Sequence, residues 1–100
     1  MEYNRVHFFR DLPTRDCEIT VQRCITLNRA IIDQMVEDMC MTPRTGEEEY
    51  AKRAAEVWYS RKVPYGYLHA PFDEICDLSD LPIFFVQEQV KRLVACEPTE

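Results

Sequence analysis

The feature that most constrains the fold is an apolar stripe between residues 14 and 41. Its side chains recur at steps of three and four, the spacing that places residues on one face of an α-helix. Thr14 or Asp16 can cap the start, and Pro43 cannot continue a helix. The pattern predicts one long helix over residues 14–41. The stripe consists of Cys17, Val21, Cys24, Leu27, Ile31, Ile32, Met35, Val36 and Met39.

The early part of this stripe also allows a second interpretation. The stretch CEITVQRCIT is rich in β-branched residues, and Cys17, Ile19 and Val21 alternate with polar neighbours. Alternation and β-branching favour a strand. The alternative is therefore a strand followed by a helix that begins near Leu27.

Residues 46–62 carry the clearest local signals of a second helix. Thr45 and Glu48 have the spacing of a capping box, and the acids that follow Gly46 suit the positive end of the helix dipole. Arg61 and Lys62 suit its negative end. The face predicted to be buried contains Tyr50, Ala54, Val57 and Trp58, and it is widened by Ala51 and Ala55.

The composition favours an all-α protein with one domain. The chain has 100 residues, 46% of them hydrophobic, and only two glycines, which is few for a fold with many tight turns. We expect a single domain, 1–100. It divides into an arm (1–13), the long helix (14–41), a helical unit (46–95) and a polar tail (96–100). Val6, Phe8 and Phe9 leave open a short N-terminal strand within the arm.

The stretch FDEICDLSDLPIFFVQEQVKRL, residues 72–93, predicts two helices joined by a tight turn. The inner face of its first helix is Phe72, Ile75 and Cys76, and Leu81 fills the turn. Asp80 can cap the second helix, and Pro82 fits its first turn. The inner stripe of the second helix is Val86, Val90 and Leu93.

This pattern resembles the helix-turn-helix motif of winged-helix bacterial repressors of the IclR family. The resemblance covers about 22 of the 100 residues. Cys76 takes the place of the usual small residue, whereas Asp80 stands where glycine is usual and Gln89 where an apolar residue is common. The resemblance implies a tri-helical unit whose first helix is 46–62. Pattern positions are held by Phe72, Ile75, Leu81, Pro82, Val86 and Leu93.

The front of the second helix does not have the composition of a base reader. Recognition of base edges uses Arg, Lys, Asn, Gln, Ser or Thr, but this helix opens with Ile-Phe-Phe. Residues 72–93 carry a net charge of −3. The five acids are Asp73, Glu74, Asp77, Asp80 and Glu88, and the two bases are Lys91 and Arg92. The sequence therefore predicts a surface for a protein partner, formed by Ile83, Phe84, Phe85, Gln87 and Glu88.

Direct DNA binding by a dimer is the alternative. The chain has a net charge of −6, which disfavours nonspecific binding to phosphates, but one basic island interrupts its acidic stretches. Contacts to DNA would come from Lys52, Arg53, Arg61, Lys62, Gln87, Lys91 and Arg92. Lys52 and Arg53 are expected to be exposed. Met35, Met39 and Met41 could form an adaptable binding surface, or could belong to the core or to a helix-pairing seam. The overhang of the long helix 14–41 could pair with a second copy.

Catalysis and metal binding have little support in the sequence. The five cysteines are Cys17, Cys24, Cys40, Cys76 and Cys96; their odd number and the absence of a CxxC pair predict reduced thiols. We expect Cys17 and Cys24 to pack in the core. His7 and His69 lack the spacing of metal ligands with these cysteines. No cofactor is predicted.

These features together predict a small, non-enzymatic regulatory protein or inhibitor that acts by binding. Its expected setting is the cytoplasm, in bacterial or phage transcription control. The partner predicted for it is a protein, such as a component of the transcription machinery, and DNA is the alternative. No membrane-spanning segment is expected, because no apolar run approaches the roughly 20 residues that cross a bilayer.

Overall fold

The computed structural model describes residues 8–60 and 70–95, and this part of the chain is all-helical. It contains α1 (Ile19–Cys40), α2 (Gly46–Tyr59), α3 (Phe72–Leu78) and α4 (Ile83–Ala95). The predicted all-α class is confirmed. Residues 8–12 form a turn and a bend, so the described part of the arm holds no strand. Residues 61–62, predicted to end the second helix, lie outside the described residues.

The first helix starts five residues later than the apolar spacing predicts. Glu18 is its N-cap, with no side-chain cap, so Thr14 and Asp16 precede the helix and do not cap it. The reason lies in tertiary structure: the carbonyls of Leu12 and Pro13 are bound by the buried Arg29 guanidinium. The alternative strand is also wrong, because CEITVQRCIT is helical from Ile19 onward.

The N-terminus of α2 follows its capping signal with one change. The backbone N–H of Glu48 donates to the Thr45 hydroxyl at 3.1 Å. The Glu48 carboxylate accepts from the N–H of Arg44 at 2.7 Å, one residue before the N–H that a capping box uses. The buried face is centred on Ala55 and Trp58, whereas Tyr50 is 71% exposed. The prediction that Tyr50 is buried with Trp58 is therefore wrong.

The long helix α1 is the central element, and each of the other helices packs against it. Ile32, Met35 and Val36 supply its buried face. Trp58 links α2 to α3, because its ring meets Phe72 edge to face with centroids 5.4 Å apart. The shared core also contains Phe9, Ala55, Ile75, Cys76, Val86 and Val90.

The packing gives α1 a larger part in the helical unit than expected. The resemblance to a helix-turn-helix motif implies that α2 is the first helix of a unit with α3 and α4. In the structure α2 packs mainly on α1, and α1 contacts both α3 and α4. The methionines of α1 belong to this interior, since Met35 is fully buried and Met39 packs against the core. They are not an exposed pairing seam.

Candidate functional site

The turn between α3 and α4 is closed by two backbone hydrogen bonds at the end of α3. The N–H of Asp80 donates to the carbonyl of Asp77 at 3.0 Å, and the N–H of Leu81 donates to the carbonyl of Cys76 at 3.2 Å. Asp80 has a φ of 60°, in the left-handed region. This pair of bonds around a left-handed residue is a Schellman motif, in which glycine is preferred. Glycine would adopt this conformation at position 80 with less strain than Asp80 does.

Asp80 does not cap α4, contrary to the sequence prediction. The helix begins at Ile83, and the N–H of Val86 donates to the carbonyl of Pro82, which places the cap at Pro82. The Asp80 carboxylate instead accepts from Nε of Arg15 at 3.0 Å in an exposed ion pair. Leu81 packs against the core as expected.

Substitutions at Asp80 will separate the backbone strain of this turn from its charge. Both Asp80→Gly and Asp80→Ala remove the carboxylate, but only glycine adopts a φ of 60° without strain. We expect Asp80→Gly to be about 1 kcal/mol more stable to chemical denaturation than Asp80→Ala. Equal stabilities of the two variants would contradict the left-handed assignment.

Beneath the turn lies Arg29, a charged residue that is only 2% exposed. Its Nε donates to the carbonyl of Ser79 at 2.9 Å, and another guanidinium nitrogen donates to the carbonyl of Leu12 at 2.9 Å and of Pro13 at 3.3 Å. Burial lowers the pKa of Arg29 from its ordinary value, and the charge of Asp80 opposes this shift. One side chain of α1 therefore joins the arm to the α3–α4 turn.

A second buried charge on α1 holds the start of the described arm. Asp33 is 1% exposed, and its carboxylate accepts from the N–H groups of Phe9 at 2.8 Å and Arg10 at 2.9 Å. Sequence reasoning missed Arg29 and Asp33. The available signal was their position, because both fall on the face of α1 that also carries Ile25, Ile32 and Val36.

The three apolar residues that open α4 separate into two environments. Phe84 is 80% exposed. Ile83 and Phe85 are half-buried and pack against the core. Of the other residues predicted for a partner surface, Gln87 is half-buried and Glu88 is exposed. The structure thus brings Phe84 and Glu88 to the solvent-facing side of α4.

That solvent-facing side continues along α4 at helical spacing. Four exposed residues recur along it, because Glu88, Lys91 and Arg92 follow Phe84 by four, seven and eight residues. Arg92 and Glu88 approach to 3.8 Å as an exposed ion pair. We refer to these four residues as the α4 outer face. It presents one aromatic ring followed by charged groups of both signs.

The predicted basic residues do not form one common surface. Lys52 is half-buried, contrary to expectation, and its ammonium donates to the carbonyls of Met39 and Met41 at the end of α1. Arg53 is exposed, as expected, and lies 3.7 Å from Glu49. Lys91 and Arg92 belong to the α4 outer face. Arg61 and Lys62 lie outside the described residues.

Two of the cysteines differ from their expected placement. Cys76 is buried at the contact of α3 with its neighbours, but Cys17 is half-buried and Cys24 is exposed. The prediction that Cys17 and Cys24 both pack in the core is wrong, because Cys17 precedes α1 and the first turns of α1 are mostly exposed. Among the described residues, no group of His, Cys, Asp or Glu is arranged to hold a metal ion. His7 and His69 fall outside those residues.

Comparisons with protein-family models, curated proteins and solved structures found no match to this chain. Within the described ranges, no helix is both long and apolar enough to pass through a membrane.

Proposed function

We propose that this protein is a small, non-enzymatic regulator that binds a protein partner through the α4 outer face. The observation that carries the proposal is the 80% exposure of Phe84. The ring lies at the start of a helix whose other large apolar residues pack into or against the core. Large aromatic side chains are frequent anchors in protein interfaces, where they bury much area with few rotamers to fix.

The net charge of the α3–α4 unit, to which Phe84 belongs, indicates the chemistry of the partner. Glu88 lies one turn further along α4, and the exposed acids Asp73, Glu74 and Asp77 lie on α3. Residues 72–93 carry a net charge of −3, from five acids and two bases. A complementary partner surface would be basic overall, with acidic groups opposite Lys91 and Arg92, and would offer an apolar pocket for Phe84. Gln87 and the exposed edges of Ile83 and Phe85 would form the border of the contact.

The resemblance of residues 72–93 to a helix-turn-helix motif supports a role in transcription control. Two helices joined by a tight turn with a left-handed Asp80 are compatible with such a motif. We propose a cytoplasmic setting in a bacterium or phage, with a component of the transcription machinery as partner. An acidic protein of this size would also suit inhibition of a host enzyme by occupying its nucleic-acid channel.

Direct DNA binding is less well supported by the described residues. Lys52 is engaged by backbone carbonyls, and Arg53 and Arg92 each have an acidic neighbour one helical turn away. Phe84 and Glu88 occupy the front of α4, where a DNA reader needs groups that contact bases or phosphates. Gln87 and Lys91 remain as possible contacts.

Replacing Phe84 by aspartate tests the proposal. We expect Phe84→Asp to reduce capture of the partner at least 30-fold, because a hot-spot side chain contributes about 2 kcal/mol or more. The circular dichroism spectrum and the melting temperature should stay close to wild type, since the ring is 80% exposed. Capture is measured with immobilised protein in nuclease-treated lysate, followed by titration of the purified partner.

Tyr50 provides the matched control, because it is another aromatic residue, 71% exposed, on α2. Tyr50→Asp should leave partner capture unchanged. Equal loss in both variants would indicate nonspecific adhesion of exposed aromatic rings. A parallel titration with duplex DNA tests the alternative: binding that weakens steeply with salt and is lost in Lys91→Glu would overturn the proposal in favour of DNA recognition.

A further inference from the structure

The solvent-facing side of α1 has no partner within the described chain. Its residues recur at alternating steps of four and three, the spacing of a coiled-coil seam. All are exposed except Ala30, which is half-buried. We refer to this set as the α1 outer stripe: Arg23, Leu27, Ala30, Gln34 and Glu37.

The charges of the α1 outer stripe are separated along the helix. Arg23 lies seven residues before Ala30, and Glu37 lies seven residues after it. Acidic groups in the last turn of a helix lie at the negative end of its dipole. Glu37 and Asp38 therefore do not stabilise the isolated helix α1. Within the described chain, neither Arg23 nor Glu37 takes part in an ion pair.

A groove runs beside the N-terminal half of this stripe. It is shallow, with a volume of about 420 Å³, and Arg10 of the arm lies on its border. Ile19 and Leu27 line it and are 58% and 65% exposed. Arg10 and Arg23 make this half basic, whereas Glu37 and Asp38 make the other half acidic.

From this arrangement we propose that α1 pairs with α1 of a second copy, antiparallel and centred on Ala30. A two-fold axis at Ala30 sets Arg23 of each copy opposite Glu37 of the other, because the two residues are equally distant from the axis. Leu27 then lies beside Gln34 of the other helix. The small side chain of Ala30 allows the helix axes to approach closely at the centre.

Charge complementarity selects this occupant and this orientation. An antiparallel second copy brings the acidic half of one helix to the basic groove of the other, whereas a parallel copy would set like charges together. The antiparallel arrangement also opposes the two helix dipoles. With few apolar groups in the seam, the dimer is expected to be weak and concentration-dependent.

Charge reversal tests the inference by sedimentation velocity over protein concentrations from about 1 µM to about 1 mM. In a homodimer, Arg23→Glu sets acid against acid twice, and Glu37→Arg sets base against base twice. The dissociation constant of the dimer should be at least about tenfold higher for each single variant than for wild type. The double variant should recover dimerisation. An equimolar mixture of the two single variants should form a heterodimer, because both of its charge pairs are again opposite.

Arg53→Glu on α2 is the control, since it makes the same change in net charge away from the stripe. Circular dichroism of every variant confirms that helix content is retained. Wild-type protein that stays monomeric throughout the range would overturn the inference, and so would single variants that dimerise as well as wild type. Loss of self-association in Phe84→Asp but not in Arg23→Glu would also overturn it, by placing the contact on α4.

Discussion

Arg29→Met will lower the free energy of unfolding by about 3 kcal/mol, measured by chemical denaturation. Methionine keeps most of the buried apolar volume but cannot donate to the carbonyls of Ser79, Leu12 and Pro13. These acceptors lose a charged partner, in a buried site at Ser79 and in partly buried sites at Leu12 and Pro13. The arm and the α3–α4 turn should loosen together, and faster hydrogen exchange of the Phe9 and Arg10 amides would report that loosening.

Arg23→Met is the matched control, because Arg23 lies on the same helix and is exposed. It should change stability by less than about 0.5 kcal/mol when measured on dilute protein. Arg29→Lys should recover only part of the loss, since one ammonium lacks the planar fork that reaches several acceptors. An Arg29→Met variant within 1 kcal/mol of wild type would show that its three carbonyls find other partners.

Trp58→Ala is expected to cost about 4 kcal/mol, the largest loss of stability for a single truncation in this core. Trp58 is 1% exposed and packs edge to face against Phe72. Its Nε1–H also donates to the carbonyl of Ala70 at 2.9 Å, so truncation leaves both a cavity and an acceptor without its donor. Thermal unfolding followed by circular dichroism measures the effect.

Two further variants separate the contribution of the hydrogen bond from that of the buried ring and test whether burial is the cause. Trp58→Phe keeps an aromatic ring but removes the donor, and should cost less than Trp58→Ala. Tyr50→Ala truncates an aromatic residue that is 71% exposed on the same helix, and should change stability by under about 0.5 kcal/mol. If Tyr50→Ala and Trp58→Ala were equally destabilising, the assigned buried face of α2 would be wrong.

Much of the fold was predictable because it follows from local patterns. The cap at Thr45 starts α2 as expected, and Pro43 lies just beyond the end of α1. The inner faces of α3 and α4 were also predicted, since Phe72, Ile75, Val86 and Val90 are all buried. Apolar spacing identifies such faces reliably when the helix is short and only one side is apolar.

The candidate site was predictable only in part. The sequence identified Ile83, Phe84 and Phe85 as a group, but three consecutive helical residues point in different directions, so they could not share one environment. Phe84 faces solvent, while its two neighbours pack against the core. Lys52 was expected at the surface, but backbone carbonyls at the end of α1 lie close enough to accept hydrogen bonds from its ammonium.

The sequence by itself determined the helical class, the start of α2 and the inward faces of α3 and α4, because spacing, caps and prolines act within one or two helical turns. Tertiary structure decided where α1 begins, which aromatic ring of α4 remains exposed and why two charges of α1 are buried. Arg29 and Asp33 bind backbone groups that lie between 16 and 50 residues away in sequence. Such partners are fixed by packing around α1, and no local pattern encodes them.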